Sequence, residues 1–264
     1  MIEAVFAGTP LCADRALTLG TLLKLPVITD IDPLSDEVLA VMPDRIEVWQ
    51  KNTKPILVDF LAPQFLHRLH TMRGRDPLLR AVGLKPQIPS TVLDATAGFG
   101  GDACMLAYFG AQVILLEREP IMGLLLKDGV TRAQRAGELM TVASRMQVLI
   151  TDAKEYLKQL AAEDYPDVIY LDPMFVHHKS ALPNKNMQFL QQHSGHTHDA
   201  DALLSVALRC ARKRVVVKRA LQAPTLDATV PSLCIKSKLL RFDVYLTGFT
   251  LHAADTKNYN DVEG

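Results

Sequence analysis

The sequence predicts an α/β fold: a mostly parallel sheet covered by helices on both faces, preceded by a small strand-rich N-terminal lobe. Three observations point there. From about residue 90 onward, short apolar β-type runs alternate with segments of helical periodicity, at lengths that suit strand–helix–strand units. Upstream of that point the β-type runs are shorter and interrupted by prolines. The first four apolar runs of the downstream part each end in a carboxylate, which places acids along one edge of the expected sheet.

In the first 62 residues, "LPVITDIDP" and "DRIEVWQKN" are β-type runs closed by turn residues, and "KPILVDF" follows a turn signal. Residues 63–89 read as a helical connector, with Phe65, Leu66, Leu69 and Met72, then Leu78, Leu79 and Val82, at helical spacing around "MRGRDP". Residues 90–252 form the main α/β domain. "STVLDATAG" is a strand and turn, and "GDACMLAYFG" a helix closed by Gly110. "AQVILLERE" is a strand, and "PIMGLLLKDGVTRAQR" a helix with proline at its first position. "MQVLITDA" and "KEYLKQLAAE" are the next strand and helix. "DVIYLDPMF", "DALLSVALRCA", "RVVVKRA" and "RFDVYLTG" complete the series as strand, helix, strand, strand. Residues 253–264 are a polar tail.

Composition narrows the function. The chain has 264 residues, 48% hydrophobic, with 29 basic and 29 acidic residues, so contacts with nucleic acid must come from local basic clusters. Cys12, Cys104, Cys210 and Cys234 are widely separated, with no C-x-x-C, as expected for reduced thiols in a cytoplasmic protein. No secretory signal pattern or run long enough to span a bilayer is present, so no membrane partner is expected. His177, His178, His193, His196 and His198 cluster, but without partnered cysteines they are read as loop residues, and no metal is expected.

The strand ends carry the chemistry. Asp94 precedes a glycine turn at Gly98, Gly100 and Gly101, and Asp102 stands at the start of the following helix. A pyrophosphate at that helix start would meet two carboxylates, whereas a cationic ligand would be attracted. S-adenosylmethionine, with a sulfonium, an α-ammonium and no phosphate, suits this cup. Glu117, about 20 residues on, suits ribose hydroxyls, and Asp152 the adenine amine. The fourth strand ends at Asp172-Pro173-Met174-Phe175. An exocyclic amine is a weak nucleophile because its lone pair is conjugated into the ring. Asp172 and the Pro173 carbonyl can accept its N–H, and Phe175 can stack on the base. Asp172, Pro173 and Phe175 are therefore the candidate catalytic residues. Arg73, Arg75, Lys179, Lys185, Lys218 and Arg219 are candidate RNA contacts on the rim.

"DATAGFGGDA", "LERE", "YLDPMF", "KSAL", "DADALL", "KRVVVKR" and "RFDVYLTG" occur in this order. Together they resemble the ribosomal RNA small subunit methyltransferase J family over roughly residues 60–250. The resemblance implies a class I, Rossmann-like methyltransferase fold. It also implies methylation of the N2 amino group of a guanosine in 16S rRNA, presented as RNA or in the small ribosomal subunit. It maps cofactor contacts onto Gly101, Asp102, Glu117, Arg118, Asp152, Ala153 and Asp172. Gly101 stands where the family often has arginine, so no side-chain contact is expected there, and Ala153 leaves only its backbone. Other readings of the same residues are an amino methyltransferase acting on DNA or protein, a nicotinamide-dependent oxidoreductase, and a non-enzymatic RNA-binding module. Asp102 at the helix start and "DPMF" at the strand end speak against the oxidoreductase.

Overall fold

The computed structural model describes residues 2–30, 37–74, 76–85, 87–173, 189 and 200–248. The N-terminal part contains β1 (Ala4–Ala7), α1 (Ala13–Leu23), β2 (Val27–Ile28), β3 (Glu37–Val41) and β4 (Ile46–Gln50). Its sheet runs β2-β1-β3-β4, with β1 parallel to both neighbours and β4 antiparallel to β3. The lobe is strand-rich as expected, and it also carries one helix, α1. Helix α1 escapes a hydrophobic-periodicity reading because its buried stripe is Ala16, Leu19 and Gly20, while Leu17 and Leu22 are exposed. "KPILVDF" contributes only a bridge, in which the amides and carbonyls of Ile56 and Val48 exchange hydrogen bonds at 2.8 and 2.9 Å. Pro55 supplies no amide donor to extend it.

Helices α2 (Pro63–Thr71) and α3 (Pro77–Val82) follow, each opened by proline. Asp76 caps α3 by accepting the Leu78 amide at 2.9 Å. The larger sheet comprises β5 (Thr91–Asp94), β6 (Gln112–Glu117), β7 (Met146–Ile150), β8 (Val168–Leu171), β9 (Arg214–Ala220), β10 (Leu233–Lys236) and β11 (Leu240–Leu246). Its helices are α4 (Gly101–Tyr108), α5 (Pro120–Arg135), α6 (Met140–Ala143), α7 (Ala153–Gln159) and α8 (Ala200–Cys210).

The strand order is β10-β11-β9-β8-β5-β6-β7. All pairs are parallel except those of β11, which runs antiparallel to both β9 and β10. The expected fold class is the one observed. Edge strand β10 was not legible in the sequence, because only Ile235 of its four residues is buried. From β5 the chain builds outward through β6 and β7, then returns to lay β8 on the other side of β5. That reversal opens a crevice beyond the carboxyl ends of β5 and β8. Among the described residues, no helix is long and apolar enough to cross a membrane.

The N-terminal lobe and the larger sheet share one apolar core, in which Val5, Leu39, Val48, Val58 and Phe60 join Leu106, Leu115, Leu125 and Leu126. Buried Asp128 on α5 ties the two together. It accepts from Arg15 of α1 and from Arg132, each at 2.8 Å, and Arg132 also donates to the Val58 carbonyl. Gly129 permits this close approach, since a Cβ there would lie 2.6 Å from Val58 Cγ1 and 2.8 Å from its carbonyl oxygen. Gly129→Ala should therefore destabilise the protein by about 1–3 kcal/mol. Gly137→Ala, where a Cβ meets nothing within 4 Å, serves as the control. Thermal denaturation checks both, and equal melting temperatures would contradict the packing account.

Candidate active site

The crevice is framed by backbone before any side chain enters it. The Ala95 amide donates to the Tyr170 carbonyl at 3.0 Å and the Ala97 amide to the Leu116 carbonyl at 3.1 Å, so the loop after β5 is stitched to both neighbouring strands. Thr96 locks the loop to the end of β8, its Oγ1 accepting the Asp172 amide at 2.6 Å. Gly100, with φ of 70°, opens α4 in the left-handed region. A Cβ there would lie 2.6 Å from Leu126 Cδ1. Gly101 is different: a Cβ would meet only Phe65, at 3.8 Å, so packing does not demand glycine and its contribution is a backbone amide in the first turn.

Four carboxylates gather along this edge, each stabilised differently. Asp94 is 2% exposed and accepts the Thr96 amide at 3.1 Å. Burial pushes its carboxyl up to about 8, with Asp102 and Asp172 adding to the rise against the Thr96 amide and Lys218. Asp102, in the first turn of α4, accepts from the Tyr170 hydroxyl and from Lys218 Nζ, both at 2.7 Å on Oδ2. Burial alone would raise Asp102, but Lys218, Tyr170 and Arg68 together hold it below the usual carboxylate range. Asp172, half-exposed, accepts from the same Lys218 Nζ at 2.9 Å. Burial raises its carboxyl and Lys218 opposes the rise. Glu117 accepts the Gly98 and Glu119 amides at 3.0 and 2.9 Å. Burial lifts it in spite of those two donors.

Lys218 is where the structure departs most from the sequence reading. Register explains its position: Leu171 of β8 pairs with Val217 of β9, so the next residues, Asp172 and Lys218, emerge side by side. Lys218 is committed to two carboxylates rather than free on the rim as an RNA contact. Burial alone would depress its ammonium, but Asp172 and Asp102 reverse that and raise it above the usual lysine range. Arg219 is not a rim residue either. Strand alternation turns it to the opposite face, where it is 3% exposed and donates to the Pro224 carbonyl.

Asp152 caps α7 through the Lys154 and Glu155 amides at 2.9 and 3.2 Å, with Ala153 buried in the first turn. Arg118 follows Glu117 and approaches Glu119 at 3.9 Å. Pro173 is buried directly after Asp172. Arg73 donates to the His70 and Met72 carbonyls at the end of α2. It lines an open cleft of about 420 Å³ with Arg68, Thr71, Met72 and Asp76. Arg68 was missed in the sequence, yet it comes within 3.9 Å of Asp102 and links this cleft to the acidic edge. As one exposed cation on a short helix it carried no signal that distinguishes it from an ordinary solvated side chain. Arg75, Phe175, Lys179, Lys185 and the five clustered histidines lie outside the described residues.

The residues suit a ligand with positive charge and no phosphate. Asp102 is held ionised at the helix start where a phosphate would otherwise bind. The seven-stranded sheet with an acidic crevice at its switch point belongs to a SAM-dependent methyltransferase, as the comparisons with known proteins show. The family described as "Putative SAM-dependent methyltransferase" matches residues 23–247. A solved SAM-dependent methyltransferase from Neisseria gonorrhoeae superimposes with a TM-score of 0.73 at 27% identity, covering 94% of this chain and 97% of that one. The ribosomal RNA small subunit methyltransferase J of Nitrosococcus oceani is 41% identical over 241 residues, which is 89% of this chain and 94% of the relative. The protein of the same name from Shewanella amazonensis is 47% identical over 194 residues, 72% of this chain and 77% of the relative. The chain belongs to the ribosomal RNA small subunit methyltransferase J family of SAM-dependent methyltransferases.

The buried acid gives a prediction about stability. In the cofactor-free protein Asp94 keeps its proton up to about pH 8, whereas in the unfolded chain it loses it near about pH 4. The folded state thus binds the extra proton, and stability falls as pH rises through that window, by up to about 1.4 kcal/mol per pH unit. Asp94→Asn removes this dependence, so its melting temperature should rise relative to wild type between about pH 5 and about pH 8. Parallel melting curves for the two proteins across that range would contradict a protonated Asp94.

Proposed function

We propose that the chain transfers the methyl group of S-adenosylmethionine to the exocyclic N2 amine of a guanosine in 16S ribosomal RNA. The observation that carries this reading is Asp172 at the switch point, its main chain fixed by Thr96 and one side-chain oxygen fixed by Lys218. The relatives' name, which specifies small-subunit ribosomal RNA, supports the substrate class.

When bound, S-adenosylmethionine supplies a methyl group on a sulfonium, and the C–S electron pair stays with sulfur as the amine nitrogen bonds to carbon. Glu117 would hold the ribose hydroxyls, and Asp152 with the Ala153 backbone would take the adenine. Asp94, the turn of Gly98, Gly100 and Gly101, and Asp102 would enclose the methionine part, with Arg118 flanking it. Asp172 and the Pro173 carbonyl would accept N–H from the guanine amine and aim its lone pair at the methyl group. Asp172 or water then takes the proton released once the nitrogen is methylated. Phe175 enters this reading through its place in the sequence, as the ring that stacks on an unstacked base. Arg73, joined by Arg68 in the same cleft, would contact the RNA backbone, with Arg75, Lys179 and Lys185 as further contacts.

Incubation with labelled S-adenosylmethionine and unmodified small subunits, followed by nuclease digestion and mass spectrometry, should yield N2-methylguanosine in the small-subunit RNA. Label in another base, in DNA or in protein would overturn the assignment. Asp172→Ala should lower the transfer rate by about 10²–10⁴-fold. Glu117→Ala should instead weaken cofactor binding by about 1.5–3 kcal/mol, measured by calorimetry.

A further inference from the structure

We propose that Lys218 is a positioning residue for methyl transfer: its ammonium fixes one oxygen of the Asp172 carboxylate and leaves the other turned to the acceptor amine. This rests on the reading of Asp172 as the group that accepts the amine N–H.

The geometry is specific. Lys218 Nζ lies 2.9 Å from Asp172 Oδ2 and 2.7 Å from Asp102 Oδ2, so one ammonium spans the start of α4 and the end of β8. Its side chain is 21% exposed, far less than a surface lysine that samples many rotamers. Asp102 Oδ2 also receives the Tyr170 hydroxyl, which fixes the carboxylate that anchors Lys218 from behind. The Asp172 main chain is pinned separately by Thr96. With both the backbone and Oδ2 held, Asp172 presents Oδ1 in one orientation, and a nitrogen that donates to it is oriented in turn.

The same contact controls charge. The charged and titratable groups facing Asp172 among the described residues are Asp94 from β5, Asp102 from α4, Tyr170 from β8 and Lys218 from β9, with Arg68 of α2 behind Asp102. Burial and Asp102 favour protonated Asp172, and Lys218 is the cation on it that opposes them. A protonated Asp172 would donate toward the amine instead of accepting from it. Activity that depends on ionised Asp172 is present above its pKa and lost as pH falls through it. Removal of Lys218 raises that pKa and moves the acid limb of the rate profile to higher pH.

The test compares wild type, Lys218→Met and Lys218→Arg in single-turnover methyl transfer to unmodified small subunits across pH, at saturating S-adenosylmethionine. Lys218→Met should be slower by about tenfold or more near neutral pH, with its acid limb displaced upward by about one pH unit so that the deficit narrows in alkali. Lys218→Arg should keep the wild-type limb, and the apparent KM for RNA should stay within about threefold of wild type, a shift too small to count as a lost contact. A deficit equal at every pH, with the Asp172 titration also unmoved, would overturn the proposal, because a merely structural lysine would behave so. A raised RNA KM with the salt slope reduced by about one would overturn it in favour of a phosphate contact. Lys218→Gln replaces Lys218→Met if the latter does not fold. A carbon-13 carboxylate titration of Asp172, with and without Lys218, needs neither substrate nor cofactor and should show the same upward displacement; an unchanged titration overturns the proposal. Failure of wild type to methylate the RNA would count against the rRNA reading instead, and the titration then decides the Lys218 claim by itself.

Discussion

Several carboxylates cannot share one poorly hydrated sheet edge unless each is given a proton, a counter-charge or a set of amide donors. This chain uses all three. Asp94 keeps its proton, Asp102 and Asp172 divide one ammonium, and Glu117 takes two backbone amides. Most of the local architecture follows from that arrangement. The β8–β9 register must deliver Lys218 beside Asp172, and β8 must turn the Tyr170 hydroxyl toward α4. The loop after β5 must bend so that Gly98 donates to Glu117 across the top of β6. A shift of β9 by one residue would send Lys218 to the face that Arg219 now occupies and take its ammonium away from the two carboxylates.

The N-terminal lobe belongs to the same problem. The turn into α4 is seated on apolar side chains from both lobes: a Cβ at Gly100 would lie 3.2 Å from Phe60 Cζ and 3.3 Å from Leu115 Cδ2. Phe60 arrives there because the chain leaving β4 runs through Val58, which α5 holds by way of Arg132 and Gly129. The lobe therefore supports the helix that carries Asp102, and α2 brings Arg68 to the outer side of that same carboxylate. Fixing Asp102 in this way also fixes the anchor of Lys218. Contacts well away from the crevice thus set the orientation of the group at its centre.

Much of this was legible in the sequence, and what was not has physical reasons. The parallel strands were readable because strands buried on both faces are continuous apolar runs, as in "VIYL", and acids at their ends mark the carboxyl edge. Helix α1 was hidden by small residues on its buried stripe, and β10 by being an edge strand with one buried side chain. Lys218 and Arg219 looked equivalent as neighbouring cations at a strand end. Only the register with β8 and the alternation of β9 separate them, one into the acidic crevice and the other beneath the sheet. Sequence spacing locates a residue along a strand, but a partner on the adjacent strand is a property of register. The same limit hid Tyr170 and Thr96, which read as ordinary strand and turn residues until the crossover set them beside Asp102 and Asp172.

The balance of charge in the crevice bears on why this sheet edge takes one cofactor class and not another. With Asp94 protonated and Asp172 ionised, as acceptance of the amine N–H requires, two carboxylates would face one ammonium and leave one uncompensated negative charge near the start of α4. Arg68 approaches from the solvent side but is 63% exposed, so its contribution is screened. The methionine part of S-adenosylmethionine carries a sulfonium, an ammonium and a carboxylate, a net single positive charge, and so matches the deficit. A dinucleotide pyrophosphate would bring two negative charges to a helix start whose dipole already faces Asp102. Lys218 enters this charge balance as well as the proposed positioning of Asp172. Without it the edge would carry about two negative charges or take up a further proton, and in neither case would the crevice match its ligand while keeping Asp172 able to accept a hydrogen bond.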